Sequence, residues 1–352
     1  MFYAPPPSGP AAPSVLRGAA QGVVIAAGSW WLLGQLATVL RPMLVAVFLG
    51  YVLLPYYRRL RRRLPAGVAV GLLAGATTLL LAGLASAVYG SLLGFRDEVP
   101  LLQDAAAAAV RRAVDAVNRT VPAWAHGAPG RPAEEAVAGL LTEGTKQAVN
   151  AAAGGMVEAL TAGLYLVFLL IESERFGRRV RAAYPPDRAD RILHAAGRIN
   201  AAIISYLKAK VKSSLVLTVP VWAVLTALGL KYAFLWAILT FLCNFIPYLG
   251  SVVAYSLPVG FAFLQLDPGA RPVLAAGFLL LFHVASATVI EPTILGRAVG
   301  LSPLVILAAL SVWGLLWGLP GMFLAVPLTV VLKLAAENID ATRPAARLLS
   351  GD

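Results

Sequence analysis

Three stretches in the second half of the chain, Lys231 to Leu266, Pro272 to Ile290 and Leu304 to Ala336, are almost continuously apolar. A soluble fold buries one face of each element and shows water the other, so its helices and strands carry a polar side. Runs without one have no stable placement in water, and lipid is the solvent that accepts them. The composition agrees. Of 352 residues, 59% are hydrophobic and 13% charged, against about 45–50% and about 25% in soluble domains. The pattern predicts an all-α, polytopic membrane protein.

The net charge of +12 does not imply a nucleic-acid partner, because the cations are not spread over a face. Arg58, Arg59, Arg61, Arg62 and Arg63 form one cluster with no acid among them. Residues 172–212 hold ten cations against four acids, Glu172, Glu174, Asp187 and Asp190. Cations gathered in short links between apolar segments are the positive-inside bias of a bacterial inner-membrane protein. Both clusters are therefore expected in the cytoplasm. Cys243 is alone, and His126, His194 and His283 are far apart, which predicts neither disulfide nor metal site. No HExxH, P-loop, GxSxG or GxGxxG motif is present, so neither an enzyme nor a cofactor is expected.

Residues 1–21, with Pro5, Pro6, Pro7, Pro10 and Pro13, read as a disordered tail. Residues 22–94 read as three membrane helices: Gly22–Leu40, a turn at Arg41-Pro42, Met43–Tyr57, and Ala66–Gly94. In residues 95–150 the charges nearly balance, and Val110, Val114, Val117 and Val121 recur at helical spacing. Val137, Leu140, Leu141 and Ala148 repeat the pattern after a Pro/Gly-rich break at 120–133. This predicts an extracytoplasmic insert of two amphipathic helices, acting as a packed cap or oligomer contact. A fourth helix follows at 151–171. The basic loop 172–212 contains a surface helix marked by Ile192, Ala196, Ile199 and Ile203. Residues 213–336 form a C-terminal core and 337–352 a cytoplasmic tail.

About eight hydrophobic helical units result. Two of them are broken, at Asn244–Gly250 and at Gly318–Gly321, leaving halves at or below the roughly 20 residues needed to span. Counted as full spans these give ten crossings; counted as re-entrant hairpins, six crossings plus two hairpins. Either parity puts both termini in the cytoplasm, and the hairpin reading is slightly favoured.

Paired, interrupted apolar segments point to a transport site. At Asn244, Pro247 and Gly250 a missing donor and a missing side chain leave carbonyls open to a ligand, or simply make a tight turn. Glu291, before Pro292, is a carboxylate at or near membrane depth, where an acid is costly unless it is paired, hydrated or protonated. It can bind a proton or cation, or pair with Arg297. Glu158 and His283 are the other candidates for a proton relay. For Glu158, snorkelling to the interface is an equal alternative; for His283, a satisfied core position is the commoner outcome.

The segments Phe245-Ile-Pro-Tyr-Leu-Gly250, Ile290-Glu-Pro-Thr-Ile-Leu-Gly296, Val299-Gly-Leu-Ser-Pro303 and Gly321-Met-Phe-Leu-Ala-Val-Pro327 occur in order. The chain thereby resembles the autoinducer-2 exporter family of bacterial permeases, and its upstream plan is similar too. The resemblance adds Gly296, Pro303 and Pro327 to the expected pathway, although Gly296 and Pro303 most simply make a turn. One departure is His283-Val-Ala-Ser-Ala, where relatives more often carry further polar residues. The resemblance implies a permease for a small polar solute or signalling molecule, or alternatively a sodium (lithium)/proton antiporter. It also implies a homo-oligomer, pentameric in some relatives. With no nucleotide motif, the energy would come from an ion gradient. The expected partners are membrane lipids and the solute, monovalent cation or proton. A non-transporting scaffold is the alternative of another class, but it would not need two broken segments.

Overall fold

The computed structural model describes residues 12–120, 130–295, 300–338 and 342–350. Among them the regular structure is helical, apart from an isolated antiparallel bridge between Leu301 and Ser350. The helices are α1 (Ala12–Gln35), α2 (Ala37–Leu60), α3 (Ala66–Thr120), α4 (Gly130–Ala183), α5 (Pro186–Ala227), α6 (Ala233–Cys243), α7 (Leu249–Gln265), α8 (Ala270–Ala285), α9 (Glu291–Leu295), α10 (Pro303–Trp317), α11 (Leu319–Glu337) and α12 (Arg343–Leu348). A π-helical segment, Ser286–Ile290, joins α8 to α9. Among the described residues, six helices are long and apolar enough to cross a membrane. The fold is an all-α polytopic bundle, as expected.

Several boundaries differ from expectation for one physical reason. A change of polarity along a helix marks a change of solvent, not a break in the backbone. α3 is 55 residues long and passes through position 94 without interruption; α4, with 54 residues, passes through both 150 and 171. At 1.5 Å per residue each is roughly 80 Å long, against a hydrocarbon thickness of about 30 Å. The insert 95–150 is therefore no separate pair of helices: its described residues extend α3 and α4, bridged by Gln103 to Thr142 at 2.8 Å and Arg111 to Glu134 at 3.3 Å. The residues 121–129 between them, including Val121, lie outside the described residues.

Similarly, residues 172–212 are not a loop. They complete α4 and open α5, with a corner at Tyr184-Pro185. Pro186 at the first position and Asp187 in the first turn start α5 cleanly. Arg41-Pro42 makes no turn, because Pro42 lies inside α2. Proline there costs one backbone bond, a loss an apolar helix absorbs when its neighbours pack around it. The break falls instead at Leu36. Ala12–Gln21 belong to α1 rather than to a coil tail; residues 1–11 lie outside the described ones. At the other end α12 folds back, with Ala346 buried and Leu349 packed among Ile203, Leu301 and Val330. Its carbonyl accepts from the Ser302 amide at 3.3 Å.

Both broken segments are helical hairpins. In the first, α6 and α7 run antiparallel, closed at the base by the Gln265 side chain, which accepts from the Lys231 amide at 2.8 Å. That base sits in a cluster with Phe95, Val99 and Leu102 of α3 and Leu225 of α5. Glu98 ties it down, holding Lys231 at 3.0 Å and Tyr232 at 3.1 Å. In the second, α10 and α11 run antiparallel from a base at Leu301 and Val330, packed on Ile203 and Tyr206 near the middle of α5, roughly 30 Å along the helix from Leu225. The two hairpins thus enter the bundle from opposite ends. The tip of the first lies against the arms of the second: Ile246 packs on Leu310 and Ala325, and Phe245 stacks on Phe323 with ring centroids 4.4 Å apart.

Candidate functional site

The tip of the first hairpin is built by backbone geometry. Proline at 247 donates no hydrogen bond, and the Leu249 amide instead reaches the Pro247 carbonyl at 2.7 Å. This closes a γ-turn at Tyr248, whose φ of 63° and ψ of −60° lie in the rare, strained form. Such backbone strain concentrates at functional positions. Gly250 lets the returning arm touch the outgoing one, since a Cβ there would stand 1.7 Å from the Cys243 carbonyl oxygen. Asn244 is buried and donates from Nδ2 to Ser214 Oγ of α5 at 2.9 Å. The tip is anchored to α5 by side chains, not left to pivot on its own loop.

Opposite the tip, the helix carrying Glu291 loosens. The π-helical turn Ser286–Ile290 widens the backbone just before the acid, a distortion frequent at functional sites. Glu291 Oε1 then lies 2.6 Å from Lys210 Nζ on α5. Lys210 is only 3% exposed, and Glu291 is 35% exposed. A buried ammonium pays a large desolvation cost that a carboxylate contact must offset, so each charge holds the other in place.

Between them is a cavity of about 330 Å³. Its wall takes Tyr206 and Lys210 from α5, Asn244, Pro247, Tyr248 and Ser251 from the first hairpin, and His283, Ser286 and Glu291 from the π-interrupted helix; Ile306 and Val326 of the second hairpin complete it. Polar groups of both charge signs face a space enclosed by apolar helices. That arrangement can hold a small polar molecule or a cation.

The structure gathers Asn244, Pro247, His283 and Glu291 at this cavity. Gly250 stands behind the tip, and Pro292 follows the acid in α9. Pro303 begins α10, whose first turn is capped by Ser302 accepting from the Val305 amide at 3.3 Å. Pro327 is buried within α11, next to the wall residue Val326. Gly296 and Arg297 lie outside the described residues. Glu158 is apart from the cavity, on α4, with Arg41 of α2 3.8 Å away.

Lys210 is the residue that sequence reasoning missed, because it was grouped with the loop cations Lys208 and Lys212. A signal was present. Ile203, Lys210 and Leu217 stand seven residues apart on one helical stripe, all of them buried, so a lysine on that stripe has to find a partner inside the fold.

The chain is similar in sequence to known proteins. A family-wide profile described as AI-2E family transporter matches residues 22–341. The AI-2 transport protein TqsA of Escherichia coli (strain K12) is 30% identical over 324 residues, covering 89% of this chain and 90% of that protein. A putative transport protein of Mycobacterium tuberculosis, MT0215, is 31% identical over 334 residues, 90% of this chain and 87% of its own length. The putative transport protein YhhT of Escherichia coli (strain K12) is 31% identical over 198 residues, 56% of this chain and 55% of its own. With two opposed hairpins, a cavity between them and a match over nearly its whole length, the chain belongs to the AI-2E transporter family of membrane proteins.

Proposed function

We propose that the chain is a secondary transporter of the bacterial inner membrane, moving a small polar solute through the cavity between its hairpins at the expense of an ion gradient. The observation that carries this reading is the Lys210–Glu291 pair, at 2.6 Å, in the wall of the 330 Å³ cavity. A carboxylate held by a lysine has two states: paired with the ammonium, or released from it by a proton or an incoming cation. Each state presents a different wall to a solute. The AI-2 transport named for the Escherichia coli relative supports a small signalling molecule as the solute. The same pair favours cation–proton exchange as the second reading, since a displaced Lys210 would leave Glu291 free to bind a monovalent cation.

The test is flux in proteoliposomes with small polyols and monovalent cations as candidates. Glu291→Gln keeps size and hydrogen bonding but removes the charge; it is expected to lower the yield, because Lys210 then stays buried without its carboxylate, and the protein that does assemble is expected to lose the dependence of flux on the proton or sodium gradient. Glu291→Asp retains part of it. Removing one partner of a buried pair costs about 3–5 kcal/mol, so Lys210→Met alone is expected to lower the yield of folded protein. The double variant Lys210→Met/Glu291→Gln removes both charges and restores the yield without restoring coupling. Gradient-dependent flux that survives in Glu291→Gln ends the idea.

A further inference from the structure

At the C-terminal end of α2 lies a second cavity, of about 260 Å³, which the transport reading does not use. Its wall is Leu54, Tyr57, Arg58, Arg61, Arg62 and Ser173. Three of these residues are arginines, and among the described residues no acid lines it; the Arg61 guanidinium also donates to the Leu64 carbonyl at 3.5 Å. The nearest acid along α4 whose pairing is described, Glu172, is engaged by Arg179. Helix α2 ends here, and a helix C-terminus repels anions. The positive field therefore comes from the arginine side chains alone, against the backbone rather than with it.

We propose that this cavity is a binding site for the phosphate-bearing headgroup of an anionic membrane lipid. Arginine forks match phosphate oxygens in pairs, and basic pockets between membrane helices hold anionic headgroups. The location fits a lipid better than a soluble phosphate. α2 is an apolar span whose last turn carries the arginines, which sets them at the depth of headgroups. Ile171, exposed on α4 on the membrane side of Ser173, offers an apolar surface for an acyl chain. Tyr57, 2% exposed and packed among Ala69, Val70 and Leu170, makes the floor rigid.

The five-arginine run separates this site from a mere topology signal. Arg58, Arg61 and Arg62 line the cavity, whereas Arg59 and Arg63 do not. Orientation by charge count would treat all five alike.

The experiment is native mass spectrometry of the purified full chain, titrated with phosphatidylglycerol, phosphatidylcholine or inorganic phosphate. Retention of phosphatidylglycerol, with neither of the others competing, is expected. Arg58→Gln/Arg62→Gln, which removes two of the cations lining the cavity, is expected to weaken retention roughly 10- to 30-fold. Arg59→Gln/Arg63→Gln, with the same net charge, leaves it within about twofold. Arg58→Lys/Arg62→Lys keeps the charge and falls between them, which shows that folding is not the cause. Equal loss in the two Gln pairs would mean diffuse attraction and overturn the site. Displacement of the lipid by inorganic phosphate, or equal retention of phosphatidylcholine, would overturn it as well.

Discussion

A Cβ at Gly250 would stand 1.7 Å from the Cys243 carbonyl oxygen and 3.2 Å from the Cys243 Cα. Both atoms are backbone, so no side chain can rotate aside, and Gly250→Ala must part the two arms at the tip. Overpacking of this kind costs about 1–3 kcal/mol. It would also shift Asn244 from Ser214 and the cavity wall with it. We expect the alanine variant to insert and to lose thermal stability in a detergent melt, with transport lost before folding; unchanged flux would show that the tip has slack. This contact was legible in the sequence, because the Pro247/Gly250 pair marks a close turn wherever it stands. Lys210 was not, since its own neighbours Lys208 and Lys212 are cations too. Only the period of α5, with Ile203 and Leu217 seven residues to either side, tells the buried lysine from the solvated ones. Its partner Glu291 was legible as an acid in an apolar run, but the pairing joins residues 81 positions apart and required the chain between them to fold.

Among the elements, the long helices α3 and α4 decide how the first hairpin is held. Phe95, Val99 and Leu102 of α3 share a buried cluster with Leu225, Leu230, Trp236 and Phe261, and the rings of Phe95 and Phe261 are 5.4 Å apart. The polar residues beyond them continue the same helices without a joint. A deletion is thus expected to behave differently according to where it is cut. Removing 109–133 takes only the distal turns of the pair and should leave folding and thermal stability close to the full chain. Removing 95–150 also takes Glu98 away from Lys231 and Tyr232 and strips the cluster of its α3 side; burying a large side chain contributes about 1.5–3 kcal/mol, so the hairpin base should open to protease. Size-exclusion profiles and limited proteolysis of the two deletions check this, and equal resistance in both would argue that the insert is independent after all. The sequence signalled these helices through their valine and leucine spacing. It concealed their continuity, because an amphipathic turn in water and an apolar turn in lipid look like different elements while the backbone bonds run on unchanged.

For the whole molecule, the fold gives orientation in the membrane a sharp test. The two hairpins enter from opposite ends, and the Arg58–Arg63 run, the α4–α5 corner and α12 belong to the end where the second hairpin has its base. The positive-inside bias assigns that end to the cytoplasm, and so assigns the far turns of α3 and α4 to the outside. The native cysteine helps, because Cys243 is buried and should give little background. Single cysteines are then placed at exposed positions on either end: Ala136→Cys on the projecting part of α4, and Ala183→Cys at the corner before α5. Ala189 would be a poor choice, since it is fully buried and silent from either side. In intact cells an impermeant maleimide is expected to label position 136 and not 183, while permeabilised cells label both. Labelling of 183 alone in intact cells would invert the molecule, sending the first hairpin in from the cytoplasm and the second from outside. The cavity and its ion pair would stand as they are, but each hairpin would open to the opposite side, and the direction of the proposed transport would reverse with it.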